Sequence, residues 1–255
     1  MIENILTPLV CERFLSDERY REGHLRVVNA LPCRRVLGLH TPEMKQVAKA
    51  LSKEGGAEYI IRFEQAAPEA LAYEETVIWG FLINLQKCPL EQRLKMLERY
   101  IPVLDNWAVC DAFCANAKWM QRADKRVLWN FLLRWFASKR EFEVRFAVVA
   151  AMCYFIDEEW LQQLFEQIDK IDFSIITSQY KSYKGRPERP RMGVVQGASP
   201  YYVRMGVAWL LATALAKFPD ATRAYVHSSS LPEDVISLYV RKARESFRTR
   251  CVSAK

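Results

Sequence analysis

The sequence predicts an all-α protein made of stacked helical pairs, an α-solenoid, and three observations carry that prediction. Between residues 41 and 168 apolar side chains recur at three- and four-residue spacing, broken only by short turns. The helices so marked run 8 to 18 residues, and a long series of short-linked antiparallel pairs stacks more readily than it closes into one bundle. With 9 Gly and 11 Pro in 255 residues, the chain lacks the punctuation of a turn-rich sandwich or barrel.

Taken in order, the first clear helix starts at Thr41-Pro42-Glu43: a hydroxyl to cap, a proline in the first turn, and an acid facing the positive end. Gly55-Gly56 stops it. Periodicity then places helices at 58–65, 73–86, 90–100, 107–119, 123–137, 141–155 and 158–168. Residues 174–177 read as extended. Further helices fall at 201–217, 221–227 and 233–247. Between them, Asp172–Pro200 lacks periodicity and holds three prolines and three glycines; a segment of this kind is a functional loop or insertion more often than a core element. It interrupts what reads as one domain spanning residues 1–255, and weak self-similarity leaves the repeat period unassigned.

Charge narrows the function. The chain carries +7 overall, concentrated in two places. Residues 178–192 hold +4 and residues 241–255 hold +5, so everything else is slightly acidic. Local basic clusters of this kind suit a polyanion; the alternative is a solvated loop and a frayed tail. Met1 to Asp17 shows no basic stretch followed by an apolar block, and no apolar run approaches the roughly 18 residues of a membrane span. Seven cysteines, an odd count, fit reduced thiols and a cytoplasmic location.

Much familiar chemistry is missing. No glycine-rich phosphate loop or dinucleotide fingerprint occurs. Cys110 and Cys114 lie four apart with no further ligand at metal spacing, which reads as two core thiols. His24, His40 and His227 are scattered, with no adjacent Ser or Cys in a base-like context. No cofactor or metal is expected.

Four residues on successive predicted helices stand out. Trp107 and Asp111, four apart, share a helix face one turn apart; the alternative is a buried indole beside a surface acid. Arg145 interrupts the apolar run Phe142–Met152, or pairs with Glu141 one turn back. Trp209 sits in Val207-Ala208-Trp209-Leu210-Leu211, where core packing is the ordinary reading.

Trp107, Asp111, Arg145 and Trp209, in that order, resemble the bacterial AlkD-type DNA alkylation repair glycosylases. Gly38-Leu39-His40-Thr41-Pro42-Glu43 is similar to that family's early Gly-x-x-Thr-Pro-Glu helix start. Tyr73-Glu74-Glu75 with Gly80, and Tyr201–Trp209, are similar to stretches in one branch of it. The resemblance covers about residues 17–247. It implies a curved superhelix of HEAT-like pairs with a basic concave face for duplex DNA. It also implies hydrolysis of the N-glycosidic bond of N3- and N7-alkylated purines by a monomer. By position, Asp111 is then the catalytic carboxylate, Trp107 and Trp209 are aromatic walls around the lesion's deoxyribose, and Arg145 is a DNA-backbone contact. Thr41 at a helix amino terminus, with Lys184 and Arg186 in the basic insertion, are further expected phosphate contacts.

Two departures bear on substrate range. The tyrosine that family members place near the lesion has no aromatic counterpart at Val27-Val28-Asn29-Ala30, leaving Tyr20 as the candidate substitute. The insertion before Trp209 is longer than the family's link. Two other functions compete: a non-catalytic helical-repeat protein that binds distorted or branched DNA, and a protein–protein scaffold.

Overall fold

The computed structural model describes residues 2–180, 182–183, 186–187 and 200–254. Its architecture is all-α, a series of packed helical pairs, with one minimal strand pair, Ser182–Tyr183 against Arg186–Pro187. Two compact units divide the described chain, meeting in sequence at Ala123 and Asp124.

The first unit comprises α1 (Glu3–Leu6), α2 (Glu12–Ser16), α3 (Glu18–Val28), α4 (Thr41–Lys53), α5 (Gly56–Gln65), α6 (Tyr73–Leu85), α7 (Leu90–Tyr100) and α8 (Trp107–Asn116). α4, α6 and α8 form a packed row, with α5 and α7 covering α6. Amphipathicity explains the division of labour. α5 is apolar along one stripe, burying Ile60 and Phe63 while Ile61 stays exposed. α6 is buried on every side from Tyr73 to Ile83. A residue with a Cβ at position 80 would overlap the Tyr100 ring, so the close approach of α6 and α7 requires glycine there.

Buried acids set how α6 meets the segments before it. Glu74, fully buried, accepts the main-chain N–H groups of Leu37 (2.9 Å), Gly38 (2.7 Å) and Leu39 (3.3 Å). Glu75 returns to the N–H of Ala72 (3.0 Å), half of a capping box, and also accepts the N–H of Ile2 (2.7 Å). The segment leading into α4 therefore hangs on one carboxylate.

The second unit comprises α9 (Lys125–Phe136), α10 (Glu141–Tyr154), α11 (Leu161–Asp169), α12 (Tyr201–Lys217), α13 (Pro219–Ser228) and α14 (Glu233–Glu245). α10 packs on α9 and α12, and α12 on α13 and α14. Here too a central helix, α10, is buried nearly all round, whereas α12 is buried over most of its surface and leaves one stripe at Tyr201, Met205, Trp209 and Thr213 less covered; α9, α11 and α14 are amphipathic.

Several boundaries differ from the sequence reading, each for a local reason. Thr41 is the first helical residue and not the cap; His40 holds the cap position, with extended backbone and no side-chain cap bond. Lys53 is the last residue of α4, and Gly55 takes a left-handed φ of 106° that turns the chain straight into α5. α8 ends at Asn116, where Ala117 leaves helical geometry and a 3-10 turn, Lys118–Gln121, follows. α9 begins after Asp124, whose carboxylate accepts the N–H groups of Arg126 and Val127. Residues 173–175 form a turn, and the expected extended segment shrinks to one bridge between Thr177 and Arg140.

Candidate functional site

α8 carries Trp107 and Asp111, and its start is tied to the end of α3. Asn106 caps α8 by accepting the N–H of Ala108 (2.7 Å), while its amide donates to the carbonyls of Val28 (2.7 Å) and Asn29 (3.2 Å). Asn29 closes α3 in a left-handed conformation, φ 50°, which an asparagine tolerates. The Trp107 indole N–H donates to the Val27 carbonyl (3.2 Å). In front of them Asp105 accepts from Arg34 Nη2 (2.7 Å) in a nearly buried ion pair. Trp107 and Asp111 are both half-buried and stand one turn apart on α8. Residues 27–29 thus meet the start of α8, and they meet it through main-chain carbonyls. Sequence reasoning missed Asn106, although an asparagine directly before an apolar helical run is a cap signal. Cys110 and Cys114 are buried, as expected of core thiols.

Thr41, exposed, opens α4. Beside it the Tyr20 hydroxyl bonds His40 Nε2 (3.0 Å) and meets Cys11 Sγ (3.9 Å), and the Arg13 guanidinium lies over the Tyr20 ring at 4.6 Å. The hydrogen bond from His40, helped by the Phe14 N–H, lowers the Cys11 thiol to about 7. Half of Cys11 is therefore expected as thiolate near neutral pH. The pH profile of iodoacetamide labelling, followed by peptide mass spectrometry, should show its midpoint there. His40→Ala should move that midpoint up toward the ordinary thiol range of about 8.5.

The second unit supplies Arg145 and Trp209 from the packed helices α10 and α12. Arg145 is buried, its Nη1 donating to the Tyr202 carbonyl (2.5 Å) and its guanidinium 5.8 Å from the Tyr202 ring. Arg145 is thus held beneath the surface of its unit. Trp209 departs from the ordinary core reading: it is 38% exposed between Ala208 and Leu210, both fully buried. Tyr201, Met205, Trp209 and Thr213, at four-residue spacing, are the less covered positions of α12, so the indole stands on the stripe of that helix that meets solvent.

Glu141, the first residue of α10, holds the start of α12 in place. It is 3% exposed, and it accepts the Tyr202 N–H (2.7 Å) and the Ser178 hydroxyl. Burial pushes its carboxyl up to about 7, against the opposing pull of Ser178, the Tyr202 N–H and Arg145. A carboxyl whose pKa rises on folding favours the native state while both states hold the proton, and that advantage is lost as pH climbs through the folded value. Stability should therefore fall between about pH 4.5 and pH 7, by on the order of 3 kcal/mol from this group. Urea denaturation at pH 5 and pH 8 measures it, and Glu141→Gln should remove most of the difference.

Lys184 lies outside the described residues, and Arg186 is described only as backbone in the short strand pair. Among the described residues no group of three or more His, Cys, Asp or Glu could hold a metal ion, and no helix is long and apolar enough to cross a membrane.

Packed helical pairs throughout both units define a helical-repeat protein. A family model described as DNA alkylation repair enzyme matches residues 22–171, more than half of the chain. The protein belongs to that family. Its role is in the repair of alkylated DNA, it is an enzyme of that class, and its partner is DNA. No match was found among curated proteins or among solved structures.

Proposed function

We propose that the protein is a monofunctional DNA glycosylase, releasing N3-methyladenine and N7-methylguanine from duplex DNA at the start of base-excision repair. The observation that carries this reading is the pairing of Trp107 and Asp111, half-buried one turn apart on α8, in a member of an alkylation-repair family.

The chemistry suits a sparse site. A purine alkylated at N3 or N7 carries a positive charge and is already a good leaving group, so no general acid is required. When the bond between C1′ and the base nitrogen breaks, its electron pair goes to the purine, which departs neutral. The positive charge then sits on the sugar as an oxocarbenium-like centre. The Asp111 carboxylate stabilises that centre and orients the water that adds to C1′. Indole faces attract the same cation, each by about 0.5–2 kcal/mol. In this reading Trp107 and Trp209 are the aromatic groups. Arg145 acts on a backbone phosphate from a buried position, where salt screens its charge least. Thr41 with Lys184 and Arg186 are further backbone contacts.

The test is release of base from methylated duplex DNA, resolved by chromatography. Both methylpurines are expected to appear above the protein-free control. DNA binding without release would favour the non-catalytic reading. The absence of both would favour a scaffold.

A further inference from the structure

The first unit contains a cationic cleft at the other end of α8 from Trp107. α8 is ten residues long, so its two ends are about 15 Å apart. The cleft encloses about 460 Å³ and is walled by Arg93, Lys118, Trp119 and Arg122, with Cys88 and Gln121 among its other lining residues; none of its lining residues is acidic.

Its walls are fixed. The Trp119 indole N–H donates to Asn84 Oδ1 (2.8 Å), and the Asn84 amide donates to the Phe113 carbonyl (3.1 Å). The Arg93 guanidinium lies 4.8 Å over the Trp119 ring and donates to the carbonyls of Ile83 (2.5 Å) and Gln86. Arg93 is 6% exposed. Among the described residues its charge meets carbonyls and a ring but no carboxylate. A buried cation without a counter-charge is costly, and an anion bound nearby offsets that cost. Lys118 and Arg122 reach solvent at the rim and form no ion pair among the described residues. Asp124, the nearest acid along the chain, is engaged at the start of α9.

We propose that this cleft binds a phosphate group carried on a nucleotide. The anion would lie between Lys118 and Arg122, with Arg93 supplying charge from behind and the Trp119 indole forming one wall. Three converging cations suit a phosphate better than a single carboxylate, and the volume falls in the range of small-ligand sites. The phosphate has two possible sources, a free nucleotide or a DNA strand running beyond the lesion. The inference goes beyond base release and does not depend on it.

Protein labelled with ¹⁵N at tryptophan provides the test. The Trp119 indole resonance is identified by its loss in Trp119→Phe, and that of Trp107 by its loss in Trp107→Phe. Inorganic phosphate, adenosine monophosphate and a short undamaged duplex are titrated separately. At least one probe should shift the Trp119 resonance saturably. The double variant Lys118→Gln/Arg122→Gln should weaken that probe about tenfold or more. A shift with the small probes identifies a free ligand, and a shift with duplex alone identifies strand phosphate; either upholds the proposal. It is overturned if no probe moves Trp119 saturably, with the small probes taken to about 10 mM, the range of very weak binding. It is equally overturned if the double variant binds as the unsubstituted protein does.

Discussion

Asp111→Asn is expected to lower release of 7-methylguanine by roughly 100- to 1,000-fold, the usual cost of removing one fixed group that meets charge developing in a transition state. Asparagine keeps the size and one acceptor oxygen of the side chain but not its charge. Because the residue is half-buried on the surface of α8, the substitution should leave the fold and its melting temperature nearly unchanged. Affinity for undamaged duplex should stay within about threefold, since backbone binding comes from cations and helix amino termini. Single-turnover release under saturating protein, alongside a binding titration at fixed salt, separates the two quantities. Release at the unsubstituted rate would remove Asp111 from the mechanism. Equal losses in release and binding would make it a structural residue.

The second large effect is on stability. Glu74→Ala removes the acceptor of three main-chain N–H groups, those of Leu37, Gly38 and Leu39, from a fully buried site. Those donors lose an ionisable partner, and the N–H groups of Gly38 and Leu39 lose it in a buried setting. The expected cost is roughly 3–5 kcal/mol, a large part of the 5–15 kcal/mol that holds a typical domain folded. In a chain of this size that is a fall in melting temperature on the order of 10 °C. Glu74→Gln keeps one acceptor oxygen and should cost less than half as much. If alanine and glutamine behave alike, within about 0.5 kcal/mol, the carboxylate does not hold this segment as argued here. Because residues 37–39 lead into Thr41, a loosened segment should also weaken DNA binding at temperatures where the protein remains folded.

The helical fold was legible in the sequence because period-3.6 patterning recurs with short turns, and α7 and α12 have the bounds that patterning gives. Helix ends were less legible, because capping is decided by a few atoms. A threonine before a proline looks like a cap, yet His40 takes that place. In the sequence Glu74 and Glu75 stood out only within a stretch similar to the family, and Glu141 only as a partner for Arg145. They are buried struts whose partners lie 37, 73 and 61 residues away in the chain, and no local pattern reports so distant a main-chain donor. Trp107 and Asp111 were legible because their spacing alone puts them on one face. The exposure of Trp209 was not, since its neighbours are all apolar. The Arg93–Trp119 cleft was missed for the same reason as the struts: its walls come from separate turns.

The attachment of α8 to the end of α3 has an evolutionary consequence. The orientation of the Trp107 ring depends on carbonyl oxygens at positions 27 to 29, which every amino acid possesses. The exposed side chain at position 27 can therefore vary while the indole keeps its bearing, whereas Val28 is buried and position 29 is held to residues that accept a left-handed backbone. Variation at that one position is thereby decoupled from the bearing of the Trp107 ring.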